Sequence, residues 1–157
     1  MRRKDREITD PEKIRQIIDG CHCCRLGLCD QGRAYLVPLN FGYAQDESGQ
    51  YTFYFHGAKE GRKIDLMRRD RWAAFEMDMG FRLHEAEKAC GWTAAFCSVT
   101  GGGEITFLEE PEAKRRALGR IMAHLSGRED WDFPDGAVEG TCVYQLEVRE
   151  LSCKEHL

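Results

Sequence analysis

No apolar run in these 157 residues is long enough to cross a bilayer, no leader-like segment opens the chain, and no low-complexity tract interrupts it. The expectation is a cytoplasmic chain with no membrane partner. A surplus of positive charge is also missing: 23 Lys and Arg stand against 27 Asp and Glu, a formal net charge of −4. A broad nucleic-acid or anionic-membrane face needs the opposite balance, so local basic clusters must serve local anions. Neither GxxxxGK[ST] nor a strand-linked GxGxxG occurs, which removes support for nucleotide hydrolysis and for a Rossmann cofactor site. No internal repeat or second domain is visible, and the length suits one domain, residues 1–157, with a real core.

Cysteine, by contrast, is plentiful, with eight in the chain. Without a secretory segment, and with apolar residues enough for a core, reduced thiols are expected rather than a disulfide framework. The cluster Cys21-His22-Cys23-Cys24, with Cys29 beyond it, carries metal-ligand types. On a strand, however, Cys21 and Cys23 share one face while His22 and Cys24 take the other, and no downstream CxxC or HxxxH completes a set. Small buried core residues are the leading reading, and no metal site is assigned.

Asp10-Pro11 followed by Ile14, Ile17 and Ile18 predicts a capped amphipathic helix stopped by Gly20. Segments near Cys23–Cys29, Ala34–Tyr43 and Tyr51–His56 are short, rich in β-branched or aromatic residues and separated by turn clusters, so they predict consecutive antiparallel strands. A brief helix is expected from about Gly61 to Arg69, strand character at Trp72–Met77, and an irregular stretch ending near Gly91. Ala94–Leu108 predicts a long strand bent at Gly101-Gly102-Gly103. A helix at Pro111–Leu125 should bury Leu118, Ile121, Met122 and Leu125, and a last strand at Cys142–Val148 should bury Cys142, Tyr144, Leu146 and Val148. About six antiparallel strands with about three flanking helices make a mainly β fold, a β-barrel with α-helices, and the hairpin-like succession disfavours a doubly wound parallel sheet.

The chemistry-bearing residues gather in Tyr54–Leu66, YFHGAKEGRKIDL. An aromatic strand runs through Gly57 and Gly61 into a helix start carrying Lys59, Arg62 and Lys63. A helix N-terminus is already partly positive, so these cations are poorly placed unless an anion such as a phosphate or carboxylate neutralises them. Arg62 can form a bidentate pair and Lys63 a point charge; the competing reading is a solvated helix face. His56 ends the preceding strand and faces whatever the anion belongs to, where an imidazole can transfer a proton or orient a substrate. Within Tyr35–Phe41, Pro38 cannot donate to a ladder and marks an edge or bulge. The unpaired backbone beside Leu39, Asn40 and Phe41 could bind the rim of a flat heteroaromatic ring, and an edge strand with Asn40 in a turn explains the same residues. Trp92 and Ser98 could line a ligand slot, although Ser98 has no neighbouring His and acid that would make it a nucleophile.

With those residues in view, the chain resembles the FMN-binding split-barrel proteins related to pyridoxamine 5′-phosphate oxidase, and within them the nitroimidazole-resistance (Nim-type) branch. The resemblance is carried by the ordered set RRKDREITDPEKI at Arg2–Ile14, VPLNFGY at Val37–Tyr43, YFHGAKEGRKIDL at Tyr54–Leu66, ACGWTAAFCSVTGGG at Ala89–Gly103 and EEPEAKRRAL at Glu109–Leu118. It implies a homodimer with FMN at the subunit interface. By position, Val37, Pro38, Leu39 and Asn40 would run along the isoalloxazine and Phe55 and His56 would border it. Lys59, Gly61, Arg62 and Lys63 would form the phosphate end, Arg62 and Lys63 holding the phosphate, and Ser98 and Val99 would belong to a strand that also reaches the cofactor. Gly57 stands where relatives often carry Ser, and the triple glycine is richer than their usual G-x-G. The implied activity is an FMN-dependent oxidoreductase that reduces a small acceptor such as a nitroaromatic, for example a nitroimidazole, with His56 as the catalytic residue. The alternatives are a non-catalytic flavin- or haem-binding split barrel and a pyridoxamine-phosphate oxidase-like enzyme.

Overall fold

The Asp10 carboxylate accepts the Glu12 amide at 3.1 Å and Pro11 occupies the first helical position, which fixes the start of the first helix. The computed structural model describes residues 3–156; Arg2, the first residue of the first resembling segment, lies outside the described residues. In chain order the elements are β1 (Glu7–Ile8), α1 (Pro11–Gly20), β2 (Cys24–Asp30), β3 (Arg33–Leu39), β4 (Gly42–Gln45), β5 (Tyr51–Gly57), α2 (Arg62–Asp70), β6 (Trp72–His84), β7 (Thr93–Leu108), α3 (Pro111–Ser126), α4 (Asp135–Gly140) and β8 (Cys142–His156).

All pairings are antiparallel, in the order β3-β2-β6-β7-β8-β5-β4, with β1 added to the far end of β8. The strands at the two ends of that order, β3 and β4, are consecutive in the chain and joined only through Asn40 and Phe41, so the sheet must curl into a barrel. Its stagger follows from the registers. Pro38 leads through Arg25 and Glu76 to Thr100, while Gly42 leads the other way through Tyr54 and Gln145 to Thr106. The two routes from the β3–β4 segment to β7 differ by about ten residues, the shear with which six strand positions close. The core inside holds Phe41, Phe53, Phe55, Met77, Val99, Tyr144 and Leu146, each fully buried. Phe53 meets Phe75 edge to face at 5.1 Å, and Phe55 stacks on Tyr144 at 5.7 Å.

The fold is mainly β as expected, but the described residues carry eight strands and four helices rather than six and three. The expected strand Ala34–Tyr43 is two strands, because Phe41 turns into the core against Phe53 and the His124 ring at 4.4 Å and breaks the ladder. The strand expected to end at Met77 continues to His84. Gly80, at φ +71°, absorbs a register shift between Met79 and Arg82, and β6 then resumes pairing as an arm opposite Thr93–Ala95. The last strand keeps its predicted buried face but runs on to His156, past a shift at Gly102/Gly103. On α3 the buried stripe is Lys114, Ala117, Leu118 and Ile121; Met122 is only partly covered and Leu125 is exposed. The periodicity passed over Lys114, whose ammonium donates to the Thr141 carbonyl at 3.0 Å, at the end of α4.

Candidate functional site

The barrel is not fully zipped. β5 pairs with β8 along Thr52–Gly57 but with β4 only along Tyr51–Tyr54, and β3 pairs with β2 alone. Among the described residues, one edge of β3 and the Phe55–Gly57 end of β5 therefore lack a ladder partner on facing sides. Continuing the β4–β5 register by two residues sets Asn40 across from His56. Pro38 lies on this edge strand, as its missing N–H requires, and Asn40 lies in the β3–β4 connection, its side-chain amide donating to the His22 carbonyl at 3.4 Å.

The helix start faces the same split. Gly61 adopts φ +123°, a conformation that favours glycine, and its carbonyl accepts the amides of Ile64 at 2.8 Å and Asp65 at 3.1 Å. No side chain caps α2, so its first amides keep their donors for another acceptor. Lys63 folds back over Gly57: a Cβ built there would lie 2.8 Å from the ammonium nitrogen. A side chain at position 57 would displace the Lys63 ammonium from this position, a small adjustment for the end of a flexible lysine. His56 stands on the exposed side of β5. Partial burial against the sheet, and then repulsion from the Lys63 ammonium, hold its imidazole below the ordinary pKa, so it is neutral at pH 7.

Arg62 takes another direction. Its Nε and Nη2 donate to Asp30 Oδ2 at 2.8 and 2.5 Å, and its guanidinium lies 4.3 Å from the centre of the Tyr35 ring. The cation expected on the phosphate is thus paired to a carboxylate of the chain itself. Lys59 is exposed in the bend before Gly61. Neither Asp30 nor Tyr35 was legible as part of the site; Asp30 falls in one of the turn clusters that separate the expected strands.

The remaining candidates lie elsewhere. Phe55 and Val99 are fully buried in the core, so their side chains face the barrel interior. Ser98 is buried on the opposite face of β7, and its hydroxyl has no hydrogen-bond partner. Two strands, β2 and β6, separate β7 from β3, so one chain does not bring Ser98 and Val99 to the split. Along β3, Val37 and Leu39 are half-buried while Pro38 and Leu36 point outward.

A second concavity, of about 960 Å³, lies outside the barrel, across β3, β2 and β6. Gly27, Ala34 and Ala74 are among the residues that line it, and Leu36 and Trp72, 67% and 42% exposed, stand over it. Cys21 and Cys24 are both buried, which corrects their expected placement on opposite faces: β2 begins only at Cys24. Burial pushes the Cys21 thiol up to about 12 and Cys24 higher still, which keeps both protonated and poor ligands at neutral pH. Among the described residues no group of three or more His, Cys, Asp or Glu is arranged to hold a metal, and no helix is long and apolar enough to cross a membrane.

The family model described as pyridoxamine 5′-phosphate oxidase matches residues 10–155. No curated protein matches the chain. Among solved structures, a candidate 5-nitroimidazole antibiotic resistance protein from Bacteroides thetaiotaomicron is 31% identical, with 95% of this chain and 86% of that one covered and a TM-score of 0.81. The flavocytochrome Anf3 from Azotobacter vinelandii shares the fold at 21% identity, 100% and 72% coverage and a TM-score of 0.82. So does an FAD- and haem-binding protein from Mycobacterium smegmatis, at 17% identity, 95% and 72% coverage and a TM-score of 0.81.

Proposed function

This chain belongs to the pyridoxamine 5′-phosphate oxidase family, in its nitroimidazole-resistance branch, and on that premise we propose that it is an FMN-dependent oxidoreductase reducing a small acceptor such as a nitroaromatic. The observation that carries this reading is the meeting, at one split, of an unpaired strand edge, an uncapped helix start with Lys63 beside it, and a neutral imidazole. The edge of β3 at Val37–Asn40 offers free backbone groups to the rim of a ring, and the α2 amides with Lys63 offer donors and charge to a phosphate.

When bound, FMN supplies the electron transfer. The chain's own part is to hold the ring and phosphate at a set spacing and to manage the proton. Neutral His56 keeps one N–H donor and one acceptor nitrogen, so it can orient an acceptor and pass it a proton near neutral pH. Lys63 repels any proton that His56 takes up, which favours handing that proton on.

The functional unit in this reading is a homodimer in the cytoplasm. Its support is the apolar groove under Leu36 and Trp72, a face that a second copy would cover.

The test pairs reduction of a nitroaromatic by the flavin-loaded protein with the His56→Ala variant. Turnover that falls at least tenfold in the variant, with FMN still bound, supports the assignment. Equal turnover removes His56 from the chemistry, and a Soret band in freshly purified protein would move the reading to a haem-binding barrel.

A further inference from the structure

Arg62 and Lys63 are neighbours in sequence, yet they serve different parts of the molecule. Successive residues of a helix point about 100° apart. Lys63 turns toward Gly57 at the end of β5, and Arg62 turns toward the tip of the β2–β3 hairpin. Two groups hold Arg62 there: Nε and Nη2 both donate to Asp30 Oδ2, and the guanidinium lies over the face of Tyr35, on β3 itself. Two turns further along the same helix face, Arg69 Nη2 donates to the Cys29 carbonyl at 2.7 Å. Helix α2 is therefore fastened at both ends to adjacent residues of one hairpin, and the hairpin's second strand carries the free edge of the split.

We propose that Arg62 is a positioning residue, latched by Asp30 and Tyr35, which sets the spacing between the β3 edge and the α2 N-terminus. This rests on the flavin reading above, because those two elements are the ring and phosphate halves of that site. A ligand whose ring and phosphate are joined by a chain of fixed length binds best when the two halves are already at the matching distance. The latch supplies that preorganisation, and the phosphate is left to Lys63 and the α2 amides. Asp30 is the more covered partner, its side chain 20% exposed against 60% for Arg62, so the acid is built into the hairpin and the guanidinium comes to it.

The two possible roles of Arg62 predict opposite behaviour of Asp30. If Arg62 grips the phosphate, Asp30 is a competitor and Asp30→Ala frees the guanidinium, so FMN binds as well or more tightly. If Arg62 is a latch, Asp30→Ala and Arg62→Ala weaken FMN by similar factors, about fivefold for an exposed ion pair with a cation–π contact. The double variant is then no worse than either single one, whereas Lys63→Ala multiplies the effect of Asp30→Ala.

The experiment measures FMN affinity of wild type, the three single variants and the two double variants by fluorescence titration. It also measures amide hydrogen exchange over Gly61–Asp65 in the flavin-free proteins. The latch predicts faster exchange there in Asp30→Ala and Arg62→Ala alike, with no further gain in their double variant. Unchanged exchange in both, or tighter FMN binding by Asp30→Ala, overturns it. Should wild type bind no FMN, the flavin reading falls, and the exchange comparison alone then supports or overturns the latch.

Discussion

The split between β3 and β5 and the groove under Trp72 are opposites in chemistry. The split has unpaired backbone, a neutral imidazole, an ammonium and an uncapped helix start, and its side chains are largely exposed. The groove, of about 960 Å³, is mostly apolar, with glycine and alanine among its lining and Leu36 and Trp72 above. The split can recognise an anion and a ring edge but lacks apolar walls to exclude water, and the groove has apolar walls with few polar groups converging on it. A second copy seated in the groove would give each region what it lacks.

The largest expected effect tests the barrel that holds the two regions apart. A Cβ at Gly101 would clash with the Glu150 carbonyl and the Phe75 ring, and the carbonyl cannot move without opening the β7–β8 ladder. Gly101→Ala should cost about 3 kcal/mol of stability or more, seen as a large fall in Tm. Next is the split itself: on the proposed reading, in which the Lys63 ammonium holds the phosphate at the surface, Lys63→Ala should weaken FMN binding about 10- to 100-fold by fluorescence titration, with little change in Tm. The groove is probed by Trp72→Asp, which sets a charge in the proposed contact between copies. Sedimentation should show a larger monomer fraction while the circular dichroism spectrum stays that of the folded chain; an unchanged dimer would separate the groove from the interface.

The smallest effect is a titration. Burial and Lys63 both depress the His56 pKa, so Lys63→Ala should raise it part of the way to the ordinary value by NMR, the burial contribution remaining. A folded-state pKa below the unfolded one means that the unfolded chain binds more protons in the interval between them. The His56 contribution to stability is accordingly complete above the unfolded value, about 6.5, and is lost as pH falls through the depressed folded value. In Lys63→Ala that acid-side loss should shrink.

Local signals were legible where one short-range rule decided the outcome. Asp10-Pro11 starts α1, the period-two pattern of Cys142 to Val148 names the buried face of β8, and Pro38 marks an edge strand. Long-range packing hid the rest. Phe41 breaks the Ala34–Tyr43 run only because His124 and Phe53 surround it, and the second half of β6 stays a strand only because Thr93–Ala95 pairs with it. At the site, the run from His56 to Lys63 was legible as a cluster, since glycines and cations at a helix start are a local pattern. The Asp30 carboxylate that takes Arg62 lies 32 positions away in sequence and became visible only when the β2–β3 hairpin folded against α2.

The central claim is that the split holds FMN, and the most direct test is the absorption spectrum of the purified protein, with mass identification of any ligand released on denaturation. The account predicts a yellow protein that releases FMN, or a colourless one whose Tm rises when FMN is added. A colourless protein whose Tm does not move with FMN would contradict it.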